Sequence, residues 1–247
     1  MLARAALRTA TNLLYPPVCQ LCDDPLDTGG EMICVPCRKN VEPICPPFCS
    51  ICGEGFAGEM TAIFRCPNCG DREFDFDFAV APWKFSGTVR MLLLALKYGK
   101  KSHLRRVIAE FTMAAFEDER LAESLDEKWK IVPVPLNSRK FREREFNQSE
   151  EIADILATQT GYPVLDVLAR TRYTPSQARL TRKERMENIE GAFSFRKLVR
   201  GAKSIAGNPV FLFDDVFTTG ATSQECARIL KEDGGASRVV VLTVARG

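Results

Sequence analysis

The pairing of the cysteines is the feature that most restricts how this chain can fold. Nine of its ten cysteines lie before residue 70, and eight of those form four Cys-x-x-Cys pairs. Each pair can place two sulfurs on one side of a tight backbone knuckle, and two knuckles complete a closed tetrahedral zinc site with four cysteine ligands. A segment held by metal needs little hydrophobic periodicity, and residues 16–72 are rich in Pro, Gly and Cys instead.

Two structural zinc ions are therefore expected, with the eight paired cysteines as ligands. In sequence order the two ligand sets are Cys19, Cys22, Cys34 and Cys37, then Cys49, Cys52, Cys66 and Cys69. An interleaved cross-brace would use the same ligands, and an iron–sulfur or redox dithiol role is a less favoured alternative. Because zinc thiolates need a reducing compartment, the sequence predicts a cytoplasmic protein.

The charge of the chain is unevenly distributed. Residues 1–75 contain six basic and ten acidic residues, whereas the remainder contains 28 basic and 22 acidic ones. A basic body suits a polyanionic ligand such as a pyrophosphate or a nucleic acid, and the acidic first third argues against an independent DNA-binding module.

Met1–Leu14 is typical of a short amphipathic helix. No stretch approaches the ~20 apolar residues of a membrane span, so none is predicted.

From residue 75 onward, strand and helix patterns alternate. Strands are predicted at 75–85, 129–135, 209–213 and 238–245, and helices at 87–97, 104–122, 149–159 and 223–233. Alternation at this spacing is typical of βαβ units. The sequence therefore predicts an α/β domain at 75–247, built on a parallel sheet flanked by helices, after an N-terminal helix and zinc-binding module at 1–74.

The strongest functional signal is a strand that ends in two carboxylates and a threonine- and glycine-containing loop. Val210–Phe213 leads into Asp214 and Asp215, followed by residues 216–222 and a helix. In a parallel sheet such a loop lies at the ligand crevice. Its N–H groups, hydroxyls and helix dipole can bind a phosphate dianion, while the carboxylates suit ribose hydroxyls and a Mg²⁺ ion.

The predicted residues of this site fall into two groups. The catalytic pair is Asp214 and Asp215, and the phosphate-binding residues are Val216, Thr218, Thr219, Gly220, Ala221 and Thr222. A turn held by side-chain caps, with no ligand, is the alternative. The segment resembles the signature of the type I phosphoribosyltransferases, and that resemblance implies binding of 5-phosphoribosyl-1-pyrophosphate (PRPP) with Mg²⁺.

A basic run, predicted to form a loop between the strand at Ile131–Leu136 and the next helix, is expected to bind the pyrophosphate together with Lys97. The candidates are Lys97, Arg139, Arg142, Arg144, Asn147 and Gln148. Arginines can grip phosphate oxygens in bidentate fashion, and the two amides add neutral donors near a helix start. Because Glu143 and Glu145 alternate with the basic residues, a solvated surface loop with internal Arg–Glu pairs is the alternative.

Motifs spread over nearly the whole chain resemble those of the ComF family. They are Val132–Leu136 followed by Phe146–Gln148, together with Leu96–Tyr98, elements of residues 170–193 and the cysteine pairs. The family usually has glycine where this chain has Glu145. The resemblance implies a phosphoribosyltransferase with an N-terminal double zinc ribbon, which transfers the phosphoribosyl group to an acceptor that the sequence does not identify.

Two other functions compete with transfer. One is a non-catalytic protein that senses PRPP. The other is a factor that handles single-stranded DNA in competence and DNA uptake, with the DNA or a competence-machinery protein as partner. The basic residues suit a single strand, but few aromatic residues lie beside them in the sequence to stack on bases. Residues 177–185 are predicted to form a mobile cover over the site, and a surface helix with a flexible lead-in is the alternative.

Overall fold

The computed structural model describes residues 16–26, 31–56, 58, 64–70, 72–99, 101–122, 128–174 and 181–247. Two predicted features fall on other residues. The helix at Met1–Leu14 lies outside the described residues, as does the first part of the predicted cover, residues 177–180.

The described residues form strands and helices in alternation. The strands are β1 Phe78–Val80, β2 Trp83–Lys84, β3 Lys130–Pro133, β4 Leu168–Arg170, β5 Phe193–Phe195, β6 Pro209–Phe217 and β7 Arg238–Arg246. The α-helices are α1 Val35–Lys39, α2 Gly87–Tyr98, α3 Arg105–Met113, α4 Glu119–Ala122, α5 Ser138–Arg144, α6 Gln148–Thr160, α7 Arg182–Ile189 and α8 Ala221–Glu232.

Five of the strands form one parallel sheet, which confirms the predicted fold class. Its order is β1-β7-β6-β3, and β2 also pairs with β7. β4 and β5 form a separate antiparallel pair. The central strands β6 and β7 consist largely of consecutive apolar residues, as expected of a sheet that is covered on both faces. Pro133 of β3 lies beside Phe213 of β6, so both strands end at the same edge.

Each face of the sheet carries its own hydrophobic layer. Phe211, Phe213 and Leu242 pack with buried residues of α2, α3 and α6 on one face. Leu212 and Val241 pack on the other face with α8 and with the β4–β5 pair. The first set of cysteines belongs to the layer of α2, α3 and α6, and the second set belongs to the layer of α8. The two cysteine modules are therefore built into opposite layers.

Two predicted elements in the first half of the domain are wrong in their continuity. The strand predicted at 75–85 is divided into β1 and β2 around Pro82, because proline cannot donate a hydrogen bond to the ladder. The helix predicted at 104–122 is interrupted after α3, and α4 begins afresh beyond Asp118. The Asp118 carboxylate accepts the Arg120 N–H at 3.0 Å, which is a local alternative to the continuous helix.

The basic run after β3 is helical, so the predicted loop is also wrong. The Asn137 side chain accepts the Arg139 N–H at 2.9 Å and starts α5. Arginine, lysine and glutamate then favour the helix. It ends at Glu145, which has a left-handed backbone with φ 68°. The residue thus takes the conformation that glycine adopts at low cost in such a position.

Candidate functional site

The two sets of cysteines are assembled as the sequence order predicts. Within each set the four sulfurs all lie within 4.8 Å of one another. The Cys22 and Cys34 sulfurs are 3.5 Å apart, and those of Cys52 and Cys66 are 3.6 Å apart. Two thiolates on one tetrahedral zinc lie about 3.8 Å apart, given a Zn–S bond of about 2.3 Å. The sequential arrangement is confirmed, and two structural zinc ions fit the two sites.

The electrostatics of the second set also suit a dication. The hydrogen bond from Cys52 is the largest influence on Cys49 and, with backbone N–H groups, lowers its pKa to about 4 although burial opposes this. The same contact and burial strongly raise the pKa of Cys52. Because the sulfurs lie close together, ionisation of one thiol opposes ionisation of its neighbour. A bound Zn²⁺ would stabilise the thiolates together. All four thiols of this set are buried, whereas Cys22 of the first set is exposed.

The predicted phosphate loop is shorter than its sequence pattern indicated. β6 continues through both carboxylates to Phe217, and α8 begins at Ala221, so only residues 218–220 connect them. Gly220 has φ 78°. A Cβ atom at this position would lie 2.8 Å from the Phe217 ring. Backbone conformation and close packing both require glycine here.

The N-terminus of α8 is open to a ligand. Gly220 provides no side-chain cap, in contrast to the asparagines that cap α5 and α6. The N–H groups of the first turn have no partner within the helix and carry partial positive charge. The hydroxyls of Thr218, Thr219 and Thr222 make no hydrogen bond within the described part of the chain. This geometry can bind a phosphate dianion.

The two carboxylates lie where β6, α2 and α6 meet. Asp214 accepts the Asp215 N–H at 2.8 Å and the Ser149 hydroxyl at 3.2 Å. Lys97, near the end of α2, forms an ion pair with Asp215. Burial, followed by the charge of Asp215, raises the pKa of Asp214 to about 7. Sequence reasoning placed Ser149 at a helix start but missed its contact with Asp214, because that contact spans 65 residues.

The two predicted amides fix the junction between α5 and α6. The Asn147 side chain accepts the Ser149 N–H at 3.2 Å and donates to the Val134 carbonyl at 3.2 Å. Gln148 accepts a hydrogen bond from Arg144 at 3.0 Å. Both amides are buried, so they hold the first turn of α6 against the end of β3 and orient Arg144. Their role as pyrophosphate ligands stays a prediction.

A cavity of about 380 Å³ next to the carboxylates is lined by three cationic side chains and one acidic side chain, Glu143. Lys97, Lys140 and Arg144 contribute the positive charge, and Tyr98 and Tyr173 form aromatic walls. Burial, and then the charges of Arg170, Arg144 and Lys97, lower the pKa of Lys140. Lys140 is not among the residues predicted from the sequence, although its place in the basic run was a usable signal.

The remaining predicted arginines lie elsewhere on α5. Arg139 pairs with Glu143 at 3.2 Å on the exposed face, as the surface-loop alternative anticipated for its charges. Arg142 lines a neighbouring groove with Arg170 and Arg196. The structure therefore brings Lys97 and Arg144 together and does not bring Arg139 or Arg142 to the same cavity.

Comparisons with known proteins cover both parts of the chain. A family described as Double zinc ribbon domain matches residues 10–70. Competence protein F of Haemophilus influenzae is 26% identical over 217 residues, which are 87% of this chain and 91% of that protein. DNA utilization protein YhgH of Salmonella typhimurium is 28% identical over 229 residues, 91% and 95% of the two chains. Competence protein ComFC of Bacillus subtilis is 23% identical over 260 residues, 94% and 96% of the two chains.

These similarities, together with the fold, indicate the class of protein to which the chain is related. The chain combines an N-terminal zinc-binding module with a parallel α/β domain. Its similarity to competence and DNA utilization proteins over most of its length, together with the double zinc ribbon at its N-terminus, supports a ComF family protein. Among the described helices, none is long and apolar enough to cross a membrane.

Proposed function

We propose that the chain binds PRPP with Mg²⁺ and transfers the phosphoribosyl group to an acceptor. One observation carries this proposal: three features complementary to PRPP meet at one edge of the sheet. They are the uncapped N-terminus of α8, the carboxylates of Asp214 and Asp215, and the cationic cavity beside them. A ligand with a phosphate, a diol and a pyrophosphate matches these three features in order.

Different parts of the site bind different parts of PRPP. The 5-phosphate lies on residues 218–222, and the ribose hydroxyls lie at Asp214 and Asp215. The pyrophosphate lies in the cavity of Lys97, Lys140 and Arg144. Lys97 connects the two halves, because it lines the cavity and also pairs with Asp215.

The chemistry is displacement of pyrophosphate from the anomeric carbon through an oxocarbenium-like state. Bound Mg²⁺ neutralises charge on the leaving pyrophosphate. The chain's own residues hold the ribose and stabilise the separating charges, since the carboxylates lie on the ribose side and the cations on the leaving-group side. Electrostatic positioning is therefore the main task of the protein.

Calorimetric titration of the zinc-loaded chain with PRPP and Mg²⁺ tests the binding step. Pyrophosphate release in the presence of a panel of acceptors tests the transfer step. We expect tight binding that Asp215→Ala abolishes, and release with at least one acceptor. Binding without release from any acceptor would favour a PRPP sensor, and binding that survives Asp215→Ala would contradict the assigned site.

A second candidate, binding of single-stranded DNA, is favoured by aromatic residues that the fold brings to α5. The relatives are named for competence and DNA utilization. Tyr98 is 72% exposed, and the Arg144 guanidinium lies 5.4 Å from its ring centre. Arg139 lies 5.3 Å from the ring centre of Tyr173. Both tyrosines come from segments distant from α5 in the chain, so the sequence neighbours of the basic run do not reveal them.

Aromatic faces beside arginines can stack on bases while the cations contact the backbone. Fluorescence anisotropy with a labelled oligothymidine tests this candidate at two salt concentrations. We expect salt-sensitive binding that weakens in Tyr98→Ala and persists in Asp215→Ala. An affinity that is equal in Tyr98→Ala and in the unchanged protein would remove this surface from consideration. For either function we propose the cytoplasm as the compartment, since it keeps zinc thiolates reduced.

A further inference from the structure

The second cysteine module lies beside the predicted phosphate loop, residues 218–220. A cavity of about 160 Å³ separates them. Its walls are Cys52, Asn68 and Cys69 of the module, Phe217, Thr218 and Thr219 of the loop, and Phe74 and Arg246 between them. The first module contributes none of its described residues to this cavity.

Arg246, at the end of β7, joins the two walls. Its side chain is only 9% exposed and forms an ion pair with Glu54 of the second module. It donates to the Phe217 carbonyl at 3.4 Å, and its guanidinium lies 5.3 Å from the Phe217 ring centre. Its Nε atom is buried and has no hydrogen-bond partner among the described residues. A buried cationic donor without an acceptor is costly, so an acceptor is expected beside it.

Further contacts fix the second module to the start of α8. The Asp75 N–H donates to the Gln224 side chain at 2.9 Å, and the Gln224 amide donates back to the Asp75 carboxylate. Phe76 packs edge to face on Phe217, with ring centres 5.8 Å apart. The position of the loop therefore depends on the segment that leaves the second module.

The first module is attached to a different part of the domain. Arg38 pairs with Glu110 of α3 at 2.8 Å, and Lys101 donates to the Gln20 carbonyl at 2.7 Å. These contacts lie in the layer of α2 and α3, on the face of the sheet opposite α8. The two zinc sites are thus unequal in their relation to the phosphate loop.

We propose that the second zinc module and Arg246 complete the phosphate site, with Arg246 as a direct cationic contact of the ligand's phosphate group. This inference rests on the proposed function and assigns the 5-phosphate to a site walled by the zinc module. Arg246, whose buried Nε donor has no partner among the described residues, lines the same cavity as Thr218 and Thr219. Guanidinium groups bind phosphate oxygens through short, charge-assisted hydrogen bonds, so the phosphate provides the acceptor that Arg246 lacks.

Calorimetric titration with ribose 5-phosphate tests the arginine in the full zinc-loaded chain. We expect Arg246→Gln to bind about tenfold more weakly and Arg246→Lys to recover part of the affinity, with two zinc ions retained in both. The affinity for inorganic pyrophosphate with Mg²⁺ should not change in Arg246→Gln, since that probe lacks the 5-phosphate. Arg38→Gln, which removes the corresponding pair of the first module, is the matched control and should bind as the unchanged protein does.

Loss of one zinc ion at a time tests the module. We expect Cys52→Ser and Cys22→Ser each to retain one zinc ion per chain, and only Cys52→Ser to lose ribose 5-phosphate binding. If Cys52→Ser does not fold, Arg246→Gln decides alone, because it leaves all eight thiols in place. Equal ribose 5-phosphate affinity in Arg246→Gln and the unchanged protein would overturn the inference while the proposed function stands. Failure of the unchanged protein to bind either ribose 5-phosphate or PRPP would refute the proposed function and this inference together.

Discussion

The segments that follow β6 and β3 occupy equivalent positions at one edge of the sheet but are built in opposite ways. After β6, three residues lead into a helix whose N-terminus has no side-chain cap, so backbone donors are left to bind a ligand. After β3, a seven-residue helix places cations on several faces, and only some of them reach the cavity. A site made from backbone geometry tolerates little change, whereas a site made from flexible charged side chains should lose affinity in small steps.

The largest expected effect is the loss of stability in Gly220→Ala, in the part of the site that is built from backbone geometry. A methyl group there requires a left-handed alanine and contacts the Phe217 ring at 2.8 Å. Gly161, at the end of α6, is the matched control, because its φ is 79° and a Cβ there would meet nothing within 4 Å. We expect Gly161→Ala to cost about 1 kcal/mol and Gly220→Ala roughly 2 kcal/mol more. Urea unfolding measures both, and equal losses would show that the close packing is unimportant.

The carboxylate next to the loop should make both stability and binding depend on pH. Because burial and Asp215 raise the pKa of Asp214 to about 7, the folded chain keeps a proton that the unfolded chain releases near pH 4. The free energy of unfolding should therefore fall as pH rises from about 4 to about 7. Asp214→Asn should lack this dependence and should exceed the unchanged protein in stability at pH 8.

Binding should follow the opposite direction, since the ionised carboxylate suits ribose hydroxyls and Mg²⁺. We expect the affinity for PRPP with Mg²⁺ to rise between pH 6 and pH 8, and Asp214→Asn to bind weakly at every pH. Thermal unfolding and calorimetry over this range measure the two trends. A PRPP affinity that is independent of pH would exclude Asp214 from the ligand contacts.

The part of the site that is built from charged side chains should lose PRPP affinity in smaller steps. We expect Lys140→Gln and Arg144→Gln each to weaken PRPP binding by about tenfold, because each removes one charge-assisted contact with the pyrophosphate. Ribose 5-phosphate, which lacks the pyrophosphate, should bind both variants as it binds the unchanged protein. Lys197→Gln removes an exposed lysine that is 3.8 Å from Asp233 and serves as the control for a general charge effect. If either variant lost as much PRPP affinity as Asp214→Asn, the expected difference between the backbone-built and the charge-built parts of the site would be contradicted.

The smallest expected effect lies at the end of α5. Glu145 has a left-handed backbone at the helix C-terminus, where Gly161 ends α6 in the same conformation. We expect Glu145→Gly to stabilise the chain by up to about 1 kcal/mol. Glu145→Ala, which removes the charge and keeps the unfavourable φ, is the control and should give no such gain. Urea unfolding compares the two, and equal stability would assign any effect to the charge.

Local patterns in the sequence were sufficient for much of this description. The spacing of Cys19 to Cys69 predicts two sets of four cysteine ligands, and the alternation of strand and helix patterns after residue 75 predicts a parallel sheet. The strand that leads into Asp214 and Asp215 follows from local patterns too, although the structure extends it through both carboxylates to Phe217. Each of these features depends on residues that are close together in the chain, so periodicity and spacing report it directly.

Long-range contacts account for what the sequence reasoning missed. Ser149 meets Asp214 across 65 residues, and Tyr98 and Tyr173 meet α5 from distant segments. The Asn137 side chain caps the helix formed by the basic run, and the pattern of charges does not indicate this cap. A pattern of charges shows which residues are basic, but the direction of a helix face decides which of them share a cavity.

By itself, the sequence indicated the types of chemistry that this protein offers: paired thiols that suit zinc, a loop ending in glycine that suits a phosphate, and a basic run that suits an anion. Only the tertiary structure decided how they combine. It packed the first zinc module against α3 and the second against the phosphate loop, although their cysteine spacing is alike. The physical reason is that ligand spacing sets the local geometry of a metal site, whereas the burial of neighbouring side chains sets what that site touches.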